Sequence, residues 1–120
     1  MKINIETIPP GMMRPCAALE QDDYWVDEDG VLQIRVLDQP DPKVEFPLTL
    51  HAFVEAALVI ILGIDIEEID KFDAGIPAGI DPGMLPDCPY RVPHQWATAA
   101  EFMAVAAMGK TPANYEKEIV

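Results

Sequence analysis

Basic residues are scarce in this chain: Lys and Arg together number 8 against 21 Asp and Glu, a formal charge of -13 over 120 residues. A field of that sign repels phosphate wherever salt does not screen it, so direct contact with nucleic acid or an anionic membrane is not expected. Cysteine is nearly absent. Only Cys16 and Cys88 occur, and Met1 to Met13 has no basic stretch leading into an apolar run, so no secretory leader is read there. The expectation is a cytoplasmic protein with two thiols. There is no C-x-x-C pair and no nucleophile elbow. Gly75, Gly79 and Gly83 stand among prolines with no strand before them, which excludes a phosphate-cradling loop and with it a nucleotide cofactor. The longest apolar run, Pro47 to Leu62, is shorter than the roughly 18 residues of a membrane span and carries His51 and Glu55, so no membrane helix is expected.

What is present is globular. Half of the residues are hydrophobic and 24% are charged, and the length suits one hydrophobic core, so residues 1–120 are read as a single domain. Lys2 to Ile8 alternates, with Ile3 and Ile5 on one face and Asn4 and Glu6 on the other, the period of a strand. Asp23 to Leu37 reads as a hairpin around Asp27-Glu28-Asp29-Gly30, with Leu32, Ile34 and Val36 alternating against Gln33 and Arg35. Gln39 to Pro42 then breaks the pattern. Residues 1–46 are expected to be strands and turns, about three strands in a small antiparallel sheet.

Residues 47–120 read as mainly helical. Pro47 to Leu62 suits a buried central helix, with Pro47 in its first turn and Gly63 at its end. Asp65, followed by Glu68 in capping-box spacing, opens a short acidic helix that stops before Gly75. Residues 74–93 hold five prolines and three glycines and cannot continue a regular element. His94 to Met108 is an alanine-rich helix ended by Gly109, and Thr111-Pro112 starts a short terminal one that Tyr115 and Ile119 can anchor. The fold class is α+β.

His51 and Glu55 lie one turn apart on the central helix, where nearly everything else is apolar. Burying an imidazole and a carboxylate without partners costs several kcal/mol, roughly 2 to 7 for a neutral polar group alone. A divalent metal would satisfy both, because neutral imidazole and carboxylate are ordinary ligands of such ions. The plain alternative is a hydrogen bond between the two within one helix. Asp70 and Asp73, one turn apart on the next helix, and His94, at the start of the last long helix with Thr98 and Glu101 on the same face, could complete the site. The alternatives there are solvated acids and a histidine facing water. The site set is therefore His51, Glu55, Asp73 and His94, with Asp70 and Glu101 as further candidates, and the ion zinc, manganese or magnesium. Cys88 could be a zinc ligand or a reactive thiol, the plain alternative being a small apolar residue.

The runs His51-Ala-Phe-Val-Glu55, Ile69-Asp-Lys-Phe-Asp73 and Pro89-Tyr-Arg-Val-Pro-His94-Gln-Trp-Ala-Thr98 resemble small phage and prophage proteins of unknown function. Those proteins have a short β segment, a helix bearing His-Glu-Leu-x-Glu, a Phe-Asp, and a helix start Tyr-Arg-x-x-His-x-x-Ala-Thr. The resemblance covers roughly the last two thirds of the chain and implies a shared site at His51, Glu55, Asp73 and His94, without supplying an activity. Ala52 replaces the acidic residue after the first histidine, so a metalloprotease-style base is missing. A hydrolytic site would need Glu101 or Glu68 as base. Glu67 to Asp70 also resembles the E-x-x-D of all-alpha nucleoside triphosphate pyrophosphatases, but the E-x-x-E pair of that family is absent from the first helix.

The functional expectation is a phage-related protein with a divalent-metal site that allows hydrolysis. The rival is an acidic protein that binds a basic host protein by charge mimicry, through Asp22, Asp23, Asp27, Glu28 and Asp29 and a second patch at Asp65 to Asp70. Monomer and homodimer are both open.

Overall fold

A computed structural model of the chain describes residues 1–17 and 20–120. The side chain of Cys16, expected above as a thiol, lies outside the described residues. Three strands come first, β1 (Ile3–Ile8), β2 (Asp22–Val26) and β3 (Leu32–Leu37). Four helices follow, α1 (Pro42–Ile61), α2 (Ile66–Ala74), α3 (Arg91–Ala107) and α4 (Pro112–Glu118).

The class is α+β, but the sheet is mixed and not antiparallel throughout. β3 is central in the order β1-β3-β2; β2 pairs with it antiparallel and β1 parallel. A tight turn forces the first relation. Asp27 holds that turn, its carboxylate accepting from the N–H groups of Asp29 and Val31 and from Gln33 Nε2, while Gly30 takes a φ of 77°. Residues 9–21 separate β1 from β2, enough chain for β1 to take the free edge of β3 in the parallel sense. Alternation along a strand says which face is buried, not which way its neighbour runs. β3 alternates as expected, with Leu32, Ile34 and Val36 fully buried. The face expected of β1 is only half met: Ile3 packs on the core, but Ile5 is exposed.

α1 begins at Pro42, before the expected Pro47, so the division between residues 46 and 47 falls inside a helix. The start is set by Asp41, whose carboxylate accepts the Lys43 N–H, with Pro42 at the first helical position. Pro47 is therefore an interior, buried proline. The helix is buried toward the sheet and toward α3, where Ala52, Ala56 and Val59 have no exposed surface. It is not buried all round: Phe46, Phe53 and Ile61 are exposed. By length and composition α1 is long and apolar enough to cross a membrane, yet its two titratable interior residues are bonded to other parts of the fold, as described below.

α3 also starts early. The His94 N–H already donates to the Tyr90 carbonyl, so His94 sits a turn inside the helix and is buried, not at its mouth facing water. α1 and α3 pack along each other with buried alanines at 52, 56, 97 and 104. The two run antiparallel, since His51 meets Glu101 while Glu55 meets His94. α2 opens on Asp65, which accepts the Glu67 N–H, and α4 on Thr111, which accepts the Asn114 N–H. Tyr115 anchors α4 with no exposed surface. Apart from a short turn at Pro82–Met84, no regular element interrupts the segment between α2 and α3.

Candidate metal centre

One carboxylate oxygen organises the site. Glu55 Oε2 lies 3.1 Å from His51 Nε2 and 3.0 Å from His94 Nδ1. The first contact is local, one helical turn along α1. The second joins residues 39 apart and exists because α3 runs back along α1. The rings stand edge to face, 5.0 Å between centroids. One donor atom from each of His51, Glu55 and His94 falls within 4.8 Å of the other two, the separation that a single ion can bridge.

Each imidazole is held from behind as well. His51 Nδ1 is 2.8 Å from Glu101 Oε1, and His94 Nε2 is 3.4 Å from Asp81 Oδ2. The carboxylates are held in turn: Tyr24 donates to Glu55 Oε1 at 3.0 Å, and Tyr115 donates to Glu101 Oε2 at 2.5 Å. Among the described residues no buried side-chain polar atom lacks a partner. Outer hydrogen bonds of this kind fix ring orientation and make an imidazole a better ligand.

The charges follow from these contacts. Burial lowers the His51 pKa, but its bonds to Glu101 and Glu55 outweigh that and raise it to about 10. His94 responds likewise to Asp81 and Glu55 and rises to about 9. Burial pushes the Glu55 carboxyl up, and the two histidines pull it below its ordinary value. The raised values favour the charged form of both imidazoles, with a carboxylate within hydrogen-bond distance of both ring nitrogens of His51 and of His94 Nδ1, and Asp81 within ion-pair distance of His94 Nε2. A divalent ion in place of the protons on His51 Nε2 and His94 Nδ1 would leave the local charge unchanged.

The centre opens onto a cleft of about 960 Å³. Asp73 lines this cleft but does not join the group of three; it accepts the Tyr90 hydroxyl at 2.7 Å, and burial raises it to about 6. Asp70 also lines the cleft and pairs with Arg14 Nη1 at 3.6 Å. Glu101 stands behind His51, where its position as an outer partner leaves it committed on both oxygens. Glu68, the other suggested base, is exposed and paired with Lys71. Cys88 is buried, and burial raises its thiol to about 11, so it behaves as a small apolar residue.

Sequence reasoning did not place Tyr24, Asp81, Tyr115 or Asp22 at this site. Asp22 precedes Tyr24 by two on β2, hence on the same face, and lines the cleft; burial, then the charge of Glu55, raises its pKa. Two-residue spacing from Tyr24 was the available signal. Of the hairpin's acids, Asp23 is buried against Arg14, with two contacts of 2.7 Å, and Asp27 is bonded within its own turn, while Glu28 and Asp29 are exposed. No protein-family model, curated protein or solved structure matches the chain.

Proposed function

We propose that the protein binds one divalent transition-metal ion through His51 Nε2, Glu55 Oε2 and His94 Nδ1, with metal-assisted hydrolysis as the reaction class the arrangement suits. The observation that carries this reading is the convergence of two ring nitrogens on one carboxylate oxygen, each ring braced from behind by a second carboxylate. Two nitrogens and one oxygen suit zinc, with manganese next; magnesium, which prefers an all-oxygen shell and keeps its waters, fits poorly. Three protein ligands leave a position toward the cleft, the form of catalytic and not structural zinc sites, and a water there would be acidified enough to attack at neutral pH. His51 and His94 position the ion, Glu55 offsets half of its charge, and Glu101 with Asp81 hold the rings.

Elemental analysis of untagged protein tests this. Near-stoichiometric zinc or manganese is expected, removed by His51→Ala and by His94→Ala. Addition of the ion to chelator-treated protein should raise Tm, a stabilisation of about 2.7 kcal/mol at a hundred times Kd. Protein that is free of metal and whose Tm ignores both zinc and manganese would overturn the proposal. Loaded protein is then the material for a hydrolase screen.

A further inference from the structure

Beyond their first turns, α1 and α3 carry all their charge at the centre. Between Phe46 and Leu62 the only ionisable residues are His51 and Glu55, and between Val92 and Met108 they are His94 and Glu101. All four line the cleft. Past the first turns, which carry Lys43, Glu45 and Arg91, the opposite faces of α1 and α3 are consequently uncharged, in a chain that carries 21 acidic residues. They are also apolar and open. Phe46, Phe53 and Ile61 follow helical spacing along α1 and are 51%, 37% and 67% exposed; Val92, Trp96 and Met103 do so along α3 at 54%, 66% and 75%.

We propose that these two outer helix faces form the interface of a homodimer, with the helix pair of one copy packed on the helix pair of the other about a two-fold axis. Charge chooses the occupant. Two chains of -13 each repel wherever carboxylates are apposed, and this face lets a second copy approach without apposing any. A basic partner would gain nothing here, because the surface offers it no carboxylate. Area agrees with this choice. Large side chains present about 150 to 250 Å² each when bare, so the six exposed fractions with the alanines between them offer on the order of 700 Å² per copy, near the roughly 800 Å² per partner of a stable interface. A soluble monomer seldom leaves an apolar patch of that size uncovered. Helix pair on helix pair is also the packing of a four-helix bundle, whose core is made of just such uncharged faces.

Sedimentation equilibrium on the full chain tests this, with Trp96→Glu and Met103→Glu beside the wild type. The expected result is a wild-type particle of twice 13.3 kDa. Its dissociation should weaken with added salt, which screens the repulsion between two acidic chains. Each variant places a carboxylate at the centre of the face and should weaken the dimer by about 30-fold or more. The far-UV circular dichroism should stay unchanged, since both residues are exposed. Three results would overturn the proposal: a wild-type monomer up to about 100 μM, a dimer indifferent to both substitutions, or a monomer that co-floats with phosphatidylcholine vesicles, which would give the face to lipid.

Discussion

Gly83 lies against the imidazole of His94 so closely that a Cβ at position 83 would stand 2.5 Å from His94 Cγ. No side chain fits there unless the ring moves, and the ring cannot move without leaving Glu55 or Asp81. Gly83→Ala therefore displaces the His94 ring without removing any atom of the proposed ligand set. Overpacking of this kind costs about 1 to 3 kcal/mol, and zinc affinity should fall together with Tm. A substitution that leaves titration calorimetry with zinc unchanged would show that His94 is not a ligand in the position described.

Tyr115 sends its hydroxyl to Glu101, the carboxylate behind His51. Tyr115→Phe keeps the packing of a fully buried ring and removes only that bond. The expected loss is about 1.5 to 3 kcal/mol, as for a hydrogen bond to a charged acceptor. Glu101→Gln acts one step closer to the centre. It should weaken metal binding by about 10- to 100-fold, the usual effect of an outer-shell partner. Equal zinc affinity in Glu101→Gln and wild type would place Glu101 outside the metal's influence.

The chelator-treated protein should lose stability on the alkaline side. Both histidines have folded-state pKa values above the unfolded value of about 6.5, near 10 for His51 and near 9 for His94. The folded state holds those protons more tightly, so the stabilisation is complete below about pH 6.5 and fades as pH climbs through the two raised values. On the acid side Glu55, held below its ordinary value, withdraws its share as it protonates. Melting temperatures in chelator should thus decline from about pH 7 to about pH 10, and zinc should reverse the decline, because departing protons free the ring nitrogens for the ion. A flat profile in wild type, matched by His51→Gln, would contradict the charged network.

Arg14 neutralises Asp23, a carboxylate only 6% exposed. Its guanidinium also donates to the Tyr24 carbonyl and lies over the Trp25 ring, 4.9 Å from the centroid. Arg14→Ala strands the buried charge and should cost about 3 to 5 kcal/mol, the range for breaking a buried pair by removing one partner. Asp23→Asn with Arg14→Ala should recover part of that loss. Urea midpoints of the two variants separate a pair that is structural from one that acts only through the surface.

Short-range patterns along the chain determined much of this protein. The alternation of β3, the turn at Asp27 to Gly30, the caps at Asp65 and Thr111 and the pairing of His51 with Glu55 all rest on residues within a few positions of one another. One local reading failed: α1 was expected to start at Pro47, and it starts at Pro42 because the Asp41 carboxylate accepts the Lys43 N–H. Direction and assembly were decided only by the tertiary structure. The parallel course of β1, the entry of His94 into the centre, the exclusion of Asp73 from it and the braces at Tyr24, Asp81 and Tyr115 depend on how α1, α3 and the sheet lie against one another. The reason is physical. Periodicity records which side of an element is buried, whereas side chains that bond one another in this site lie as far as 50 residues apart, as His51 and Glu101 do, brought together by a packing register that no local pattern encodes.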